Sequence, residues 1–239
     1  AVLTSISRDH TEILGKTFFQ ILLQKLGITR PYKKLITAFE SDYLNQKVLQ
    51  YTKERQIDWT SLPDTLTLNY FQKNQALAAL TIREIGLEVE SSEDYSPHGY
   101  DQTKRIGEAS FFLWGAHNLD GVRKTVLNLP RKFNNAKIDG FILCFSQRET
   151  KEVISMIKNI REFFPESLVS LCDWDHYKAL EKSKLENIAQ NLGICIENDW
   201  KNIINSKKQG NWIVGCSIYL AGEFYKEYQF DNPHFLSTY

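Results

Sequence analysis

The chain has 239 residues, and its 29 Lys and Arg are balanced by 29 Asp and Glu, so the formal net charge is zero. That balance gives no whole-chain attraction for nucleic acid or an anionic membrane, and neither is expected as a partner. With 42% hydrophobic and 13% aromatic residues against 12 Gly and 6 Pro, the composition excludes a disordered or fibrous chain and fits one large or two modest folded domains.

Residues 2–6, VLTSI, read as a short strand. Phe18, Ile21, Leu22 and Leu26 then recur at helical spacing over 17–25, closed by Gly27. A second strand is predicted at 34–39 (KLITAF), a helix at 41–55, a turn at Pro63, and an Ala- and Leu-rich helix at 71–86 ended by Gly86. The polar stretch 91–102 contains Pro and Gly and marks a domain boundary near residue 93, giving domains of 1–92 and 93–239.

Beyond that boundary, strands at 110–114, 138–145, 168–172, 194–196 and 212–216 alternate with helices at 119–129, 149–163, 176–191, 198–206 and 217–227. Five strands, each followed by a helix, predict an α/β fold with a mostly parallel, doubly wound sheet. Ligands of such sheets sit at the carboxyl ends of the strands. There GAHN (115–118) follows the first strand of this half and GCS (215–217) closes the last.

Cys144, Cys172, Cys195 and Cys216 form no CxxC pair and no His lies at zinc-finger spacing from them. Three sit in apolar, strand-like settings and are expected to be buried thiols. No apolar run approaches the roughly 20 residues of a membrane span, and AVLTSISRDH is not built as a signal peptide, so a reducing, cytoplasmic compartment is expected. The chain opens with Ala1 inside an apolar run, and it is expected to be the later part of a longer polypeptide.

Three residues stand out chemically. His10 follows the first strand beside Asp9, a setting usual for a surface histidine. Lys25 ends an otherwise apolar helix, where snorkelling at a helix C-terminus is the ordinary explanation. His117 lies in a strand-to-helix turn with Gly115, Ala116 and Asn118, whose small residues let a ligand approach backbone N–H groups.

Five blocks in order resemble the folylpolyglutamate synthase and dihydrofolate synthase family, a branch of the Mur ligase superfamily. AVLTSISRDHTEILGKT resembles its TSI strand and DHxxxLG, LLQKLGITRP its EKAGIxxP, and NYFQKNQALAAL its HQxxNAxxAxxA helix. LWGAHNLDGVR resembles DGAHNPxG, and GCSIYLAGE resembles GSLYLVGE. The resemblance covers nearly the whole chain. It implies the second part of a P-loop-type central ATP-binding domain followed by a Rossmann-like C-terminal ligase domain.

The implied activity is ATP-dependent ligation of L-glutamate to the γ-carboxyl of a folate, with dihydropteroate as the related acceptor, through an acyl phosphate. ATP and Mg²⁺ are the implied cofactors. The family's metal-binding His falls on His10, and its carbamylated Lys on Lys25, which would also hold metal. Its glutamate- and γ-phosphate-associated residues fall on His117 and Ser217, with Gly115 and Asn118 in the same loop. Its adenine-reading Asn falls within Gln72, Asn74 and Gln75.

Departures accompany these matches. Gln24, Trp114 and Leu119 stand where the family has Glu, Asp and Pro, and Tyr100 stands near its PGRxQ arginine. No GxxxxGK[ST] phosphate loop occurs in the 239 residues, and the segment carrying it is expected upstream. A Mur-type ligase of peptidoglycan synthesis and a noncatalytic binding module of the same fold are the alternative readings.

Overall fold

The structure, a computed structural model, describes residues 1–8, 11–63, 68, 70–88 and 102–228. The chain divides into two compact units, Ala1–Ser96 and Pro97–Tyr239.

The N-terminal unit contains a parallel sheet of β1 (Val2–Leu3), β2 (Lys34–Thr37) and β3 (Asp58–Ser61), in that spatial order. Its helices are α1 (Thr11–Leu14), α2 (Phe18–Leu26), α3 (Asp42–Arg55) and α4 (Tyr70–Glu84). A reciprocal capping box starts α2: the Gln20 N–H donates to Thr17 Oγ1 (3.2 Å) and the Thr17 N–H to Gln20 Oε1 (3.1 Å). The buried face of α2, Leu22 and Leu26, packs with Leu35, Leu44 and Val48, while Ile36 and Ala38 pack with Leu77 of α4. Because β2 is covered on both faces, consecutive residues Leu35, Ile36 and Thr37 are all buried.

β3 departs from the sequence reading, which placed no strand there. It lies at the sheet edge, where a strand needs one partner and no continuous apolar face. Asp58 pairs in register with Lys34, and their side chains form an ion pair at 3.1 Å.

The C-terminal unit is a six-stranded sheet in the order β4-β5-β9-β6-β7-β8. The strands are β4 (Gln102–Ile106), β5 (Glu108–Trp114), β6 (Gly140–Leu143), β7 (Leu168–Cys172), β8 (Ile196–Glu197) and β9 (Gln209–Gly215). All pairings are parallel except β4 with β5. The sequence reading took residue 102 as the end of a polar linker; instead β4 and β5 form a hairpin across Gly107 and Glu108, with Gly107 at φ +60°. The half-exposed, polar QTKRI of β4 is again an edge strand.

Helices α5 (Leu119–Val126), α7 (Thr150–Phe163) and α8 (Lys182–Leu192) cover one face through Val122, Ile157 and Leu185. Helices α9 (Trp200–Ser206) and α10 (Ile218–Tyr228) cover the other through Ile204 and Phe224. The predicted helix 119–129 stops at Val126 and a separate turn, α6 (Leu129–Lys132), follows with Pro130 in it. The predicted helix 176–191 begins only at Lys182.

The chain order matters for function. β9, last in sequence, inserts between β5 and β6, and its following helix covers the face opposite to theirs. This is a topological switch point, where neighbouring loops diverge and leave room for a ligand at the carboxyl edge.

Candidate functional site

Gly215 ends β9 paired with Trp114 on one side and Leu143 on the other, so β5, β9 and β6 finish level. Three loops leave that edge: Gly115–Asn118, Cys216–Ser217, and the segment after β6 that carries Ser146 and Arg148. The sequence reading assigned ligand-binding residues to the first two, and the sheet brings both to one edge across about 100 residues of chain.

Asn118 caps α5, its Oδ1 accepting from the Gly121 N–H at 2.8 Å. His117, half-buried, has Nδ1 3.0 Å from the Gly115 carbonyl. A carbonyl only accepts, so Nδ1 carries the hydrogen in this contact and Nε2 is the nitrogen available to a ligand. Gly115 itself is buried.

Ser217 is 1% exposed and lies beneath this edge. Its Oγ accepts from the Leu220 N–H (3.5 Å) at the start of α10 and lies 2.9 Å from Ser146 Oγ. Cys216 before it adopts φ +70°, an uncommon conformation for a residue with a side chain. Burial pushes the Cys216 thiol up to about 12, with the Arg148 charge acting in the opposite direction. The Cys144 thiol is also pushed well up, chiefly by burial and then by its contact with Cys172. Cys144, Cys172 and Cys216 are buried and Cys195 is exposed, the three-to-one division expected from sequence.

Trp114, at the position of the family's Asp, is 1% exposed, packs against Phe141 and donates from Nε1 to Thr125 Oγ1 at 2.8 Å. It is a core side chain.

The other predicted residues belong to the N-terminal unit. Lys25, half-buried, donates from Nζ to the Ser5 carbonyl at 3.1 Å, just beyond the carboxyl end of β1. His10 and Tyr100 lie outside the described residues. On α4, Gln72 is exposed and Asn74 and Gln75 are half-buried. Between them Lys73 is 5% exposed and pairs with Glu40, which follows β2. Sequence reasoning missed this pair, although Lys73 precedes the buried Leu77 by four residues and so shares its inward face. It also missed Ser146 and Arg148, whose relation to Ser217 depends on where β9 inserts.

Among the described residues there is no group of three or more His, Cys, Asp or Glu that could hold a metal, and no helix long and apolar enough to cross a membrane. The carboxyl edge instead offers hydroxyls, an imidazole and a guanidinium, a set suited to an anionic, hydrogen-bond-accepting ligand.

No protein-family model matches the chain. No curated protein matches it either. Solved structures do. E. coli FolC in complex with ADP superposes with a TM-score of 0.72 at 17% identity, over 95% of this chain and 61% of that one. The Mycobacterium tuberculosis folylpolyglutamate synthase complexed with ADP and AMPPCP gives 0.72 at 15% identity, over 96% and 64%. The bifunctional folylpolyglutamate synthase/dihydrofolate synthase of Yersinia pestis, complexed with AMPPNP and a Mn ion, gives 0.67 at 16% identity, over 95% and 61%. The chain thus spans about three fifths of the length of these enzymes. Over that span it has the fold of the folylpolyglutamate synthases.

Proposed function

We propose that the chain is part of an ATP-dependent amide ligase that joins L-glutamate to the γ-carboxyl of a folate through an acyl phosphate. The observation carrying this reading is the level carboxyl edge of β5 and β9, which presents the GAHN and GCS loops together within a folylpolyglutamate synthase fold. The nucleotide and Mn complexes of the related structures support ATP and a divalent cation, taken here to be Mg²⁺, as cofactors.

When bound, ATP supplies the phosphoryl group that turns the unreactive carboxylate into an acyl phosphate. The protein's task is to hold two anionic substrates in line and keep water away. On this reading His117, through Nε2, and Ser217 position the incoming amino acid and the phosphorylated carboxyl group. The backbone of Gly115 and the Asn118-capped start of α5 favour negative charge nearby. Gln72, Asn74 and Gln75 offer amides to a nucleobase. Lys25 is assigned as a carbamate: its neutral amine adds CO₂ and loses a proton, so a cation becomes an anion able to share a divalent ion with His10.

The test uses the product of the complete reading frame. ADP release that depends on both a folate and L-glutamate is the expected result. Release that ignores both substrates would refute the reading. The 239-residue chain alone is expected to release no ADP, since it contains no GxxxxGK[ST] cradle for the β- and γ-phosphates.

One observation favours a second reading, a noncatalytic module of the same fold: Trp114 is locked into the core at the position of the family's acidic residue. Calorimetric titration of the complete protein with AMPPNP separates the two, because a noncatalytic module is expected to give no binding heat.

A further inference from the structure

Helix α2 is apolar beyond the face it buries. Six of its nine residues are large and apolar, yet only Ile21, Leu22 and Leu26 are buried. Phe19 and Leu23, one turn apart, are 38% and 41% exposed, and Tyr43 in the first turn of α3 is 51% exposed. The outer face of a surface helix is ordinarily polar; single apolar residues there are normal, but a joined set marks a surface that something covers.

Lys47 joins the set. It lies one turn after Tyr43, and its half-buried side chain holds Nζ 5.6 Å from the centre of the Phe19 ring and 5.7 Å from that of Tyr43. The ammonium thus bridges α2 and α3 in the middle of the patch, and among the described residues no carboxylate pairs with it. The two ring faces attract its charge, but an ammonium carries three N–H donors that call for oxygen acceptors. Arg8, over the Phe18 ring at 5.2 Å, adds a second cation at the start of the same helix.

We propose that this face of α2 and α3 docks an acidic amphipathic segment of a partner protein. One carboxylate of that segment meets Lys47, and apolar side chains on either side of it cover Phe19, Leu23 and Tyr43. The apolar contacts exclude water from the ion pair and so strengthen it. An anionic lipid surface fits this arrangement less well, since it takes apolar side chains below the headgroups with cations at the rim, whereas here the cation stands between two rings. A second copy docking through the same face would bring two Lys47 ammoniums together. Lys25 leaves α2 on another side, toward the Ser5 carbonyl, so the docked segment does not cover it.

The test selects a displayed library of short helical peptides on the complete protein. The peptides recovered are expected to carry Asp or Glu flanked by apolar residues at helical spacing, and to bind Lys47→Gln and Leu23→Ser about tenfold more weakly or worse. Selection on Lys47→Glu is expected to replace the acidic residue by Lys or Arg.

Peptides without an acidic preference, peptides that bind both variants as well as the wild type, or no enrichment at all would overturn the proposal. Binding of phosphatidylserine vesicles that Lys47→Gln abolishes, without peptide binding, would assign the face to a lipid surface instead. A dimer in light scattering that Leu23→Glu dissociates would assign it to a second copy. Should Leu23→Ser fail to fold, the charge inversion at the half-buried Lys47 still decides the matter.

Discussion

Substituting Gly215 by Ala tests whether the level ends of β5, β9 and β6 are held by close backbone contact. A Cβ at Gly215 would lie 2.8 Å from the Trp114 carbonyl oxygen and 2.9 Å from Trp114 Cβ. Neither atom is the end of a flexible chain, so relief requires β5 and β9 to separate at the edge that carries His117 and Ser217. The expected cost is about 2–3 kcal/mol, the upper part of the range for overpacking a core.

Gly222 in α10 is the internal control. A Cβ there meets nothing within 4 Å, and Gly222→Ala is expected to stabilise the helix by about 0.5–1 kcal/mol. Urea unfolding followed by tryptophan fluorescence reads the correct unit, since Trp114, Trp174, Trp200 and Trp212 of the five tryptophans lie in it. With a slope of about 2 kcal/mol per M, the midpoint of Gly215→Ala should fall by roughly 1 M at unchanged slope. A midpoint within about 0.2 M of wild type would show that the strand ends are not packed as described.

Glu40→Ala is expected to cost about 1–3 kcal/mol because it strands the buried Lys73 ammonium, and adding Lys73→Met should recover most of that loss in a thermal melt. In ¹³C-bicarbonate, a carbamate carbonyl resonance is expected in wild type and absent from Lys25→Ala; its absence from the complete wild-type protein would remove Lys25 from the proposed metal site. A disulfide reagent at neutral pH should titrate one thiol, Cys195, with the other three appearing only on unfolding. The buried Cys144 and Cys216 thiols have folded pKa values raised above the ordinary 9.0, so the stability they contribute is complete below that value and lost as pH rises above it, for Cys216 through about 12. Alkaline melts should therefore fall through this window, and less steeply in Cys216→Ala. Asn118→Ala should lower stability by about 1 kcal/mol through loss of the α5 cap.

The sequence by itself determined the elements whose signal is local. The apolar runs of β5, β6 and β9 and the 3.6-residue periodicity of α2 all express burial within a few residues. The order of short motifs placed His117 and Ser217 at strand ends, and the same order carried the family resemblance.

Tertiary structure decided what depends on partners distant in sequence. β3 and β4 are polar edge strands held by backbone pairing, with an ion pair added at β3, so no hydrophobic pattern announces them. Lys73 is tolerated inside only because Glu40 lies at the end of β2. The insertion of β9 between β5 and β6 sets Ser217 against Ser146 and brings the Arg148 loop to the same edge. Strand order is fixed by which faces bury best against one another across the whole sheet, and no local stretch of sequence encodes that comparison.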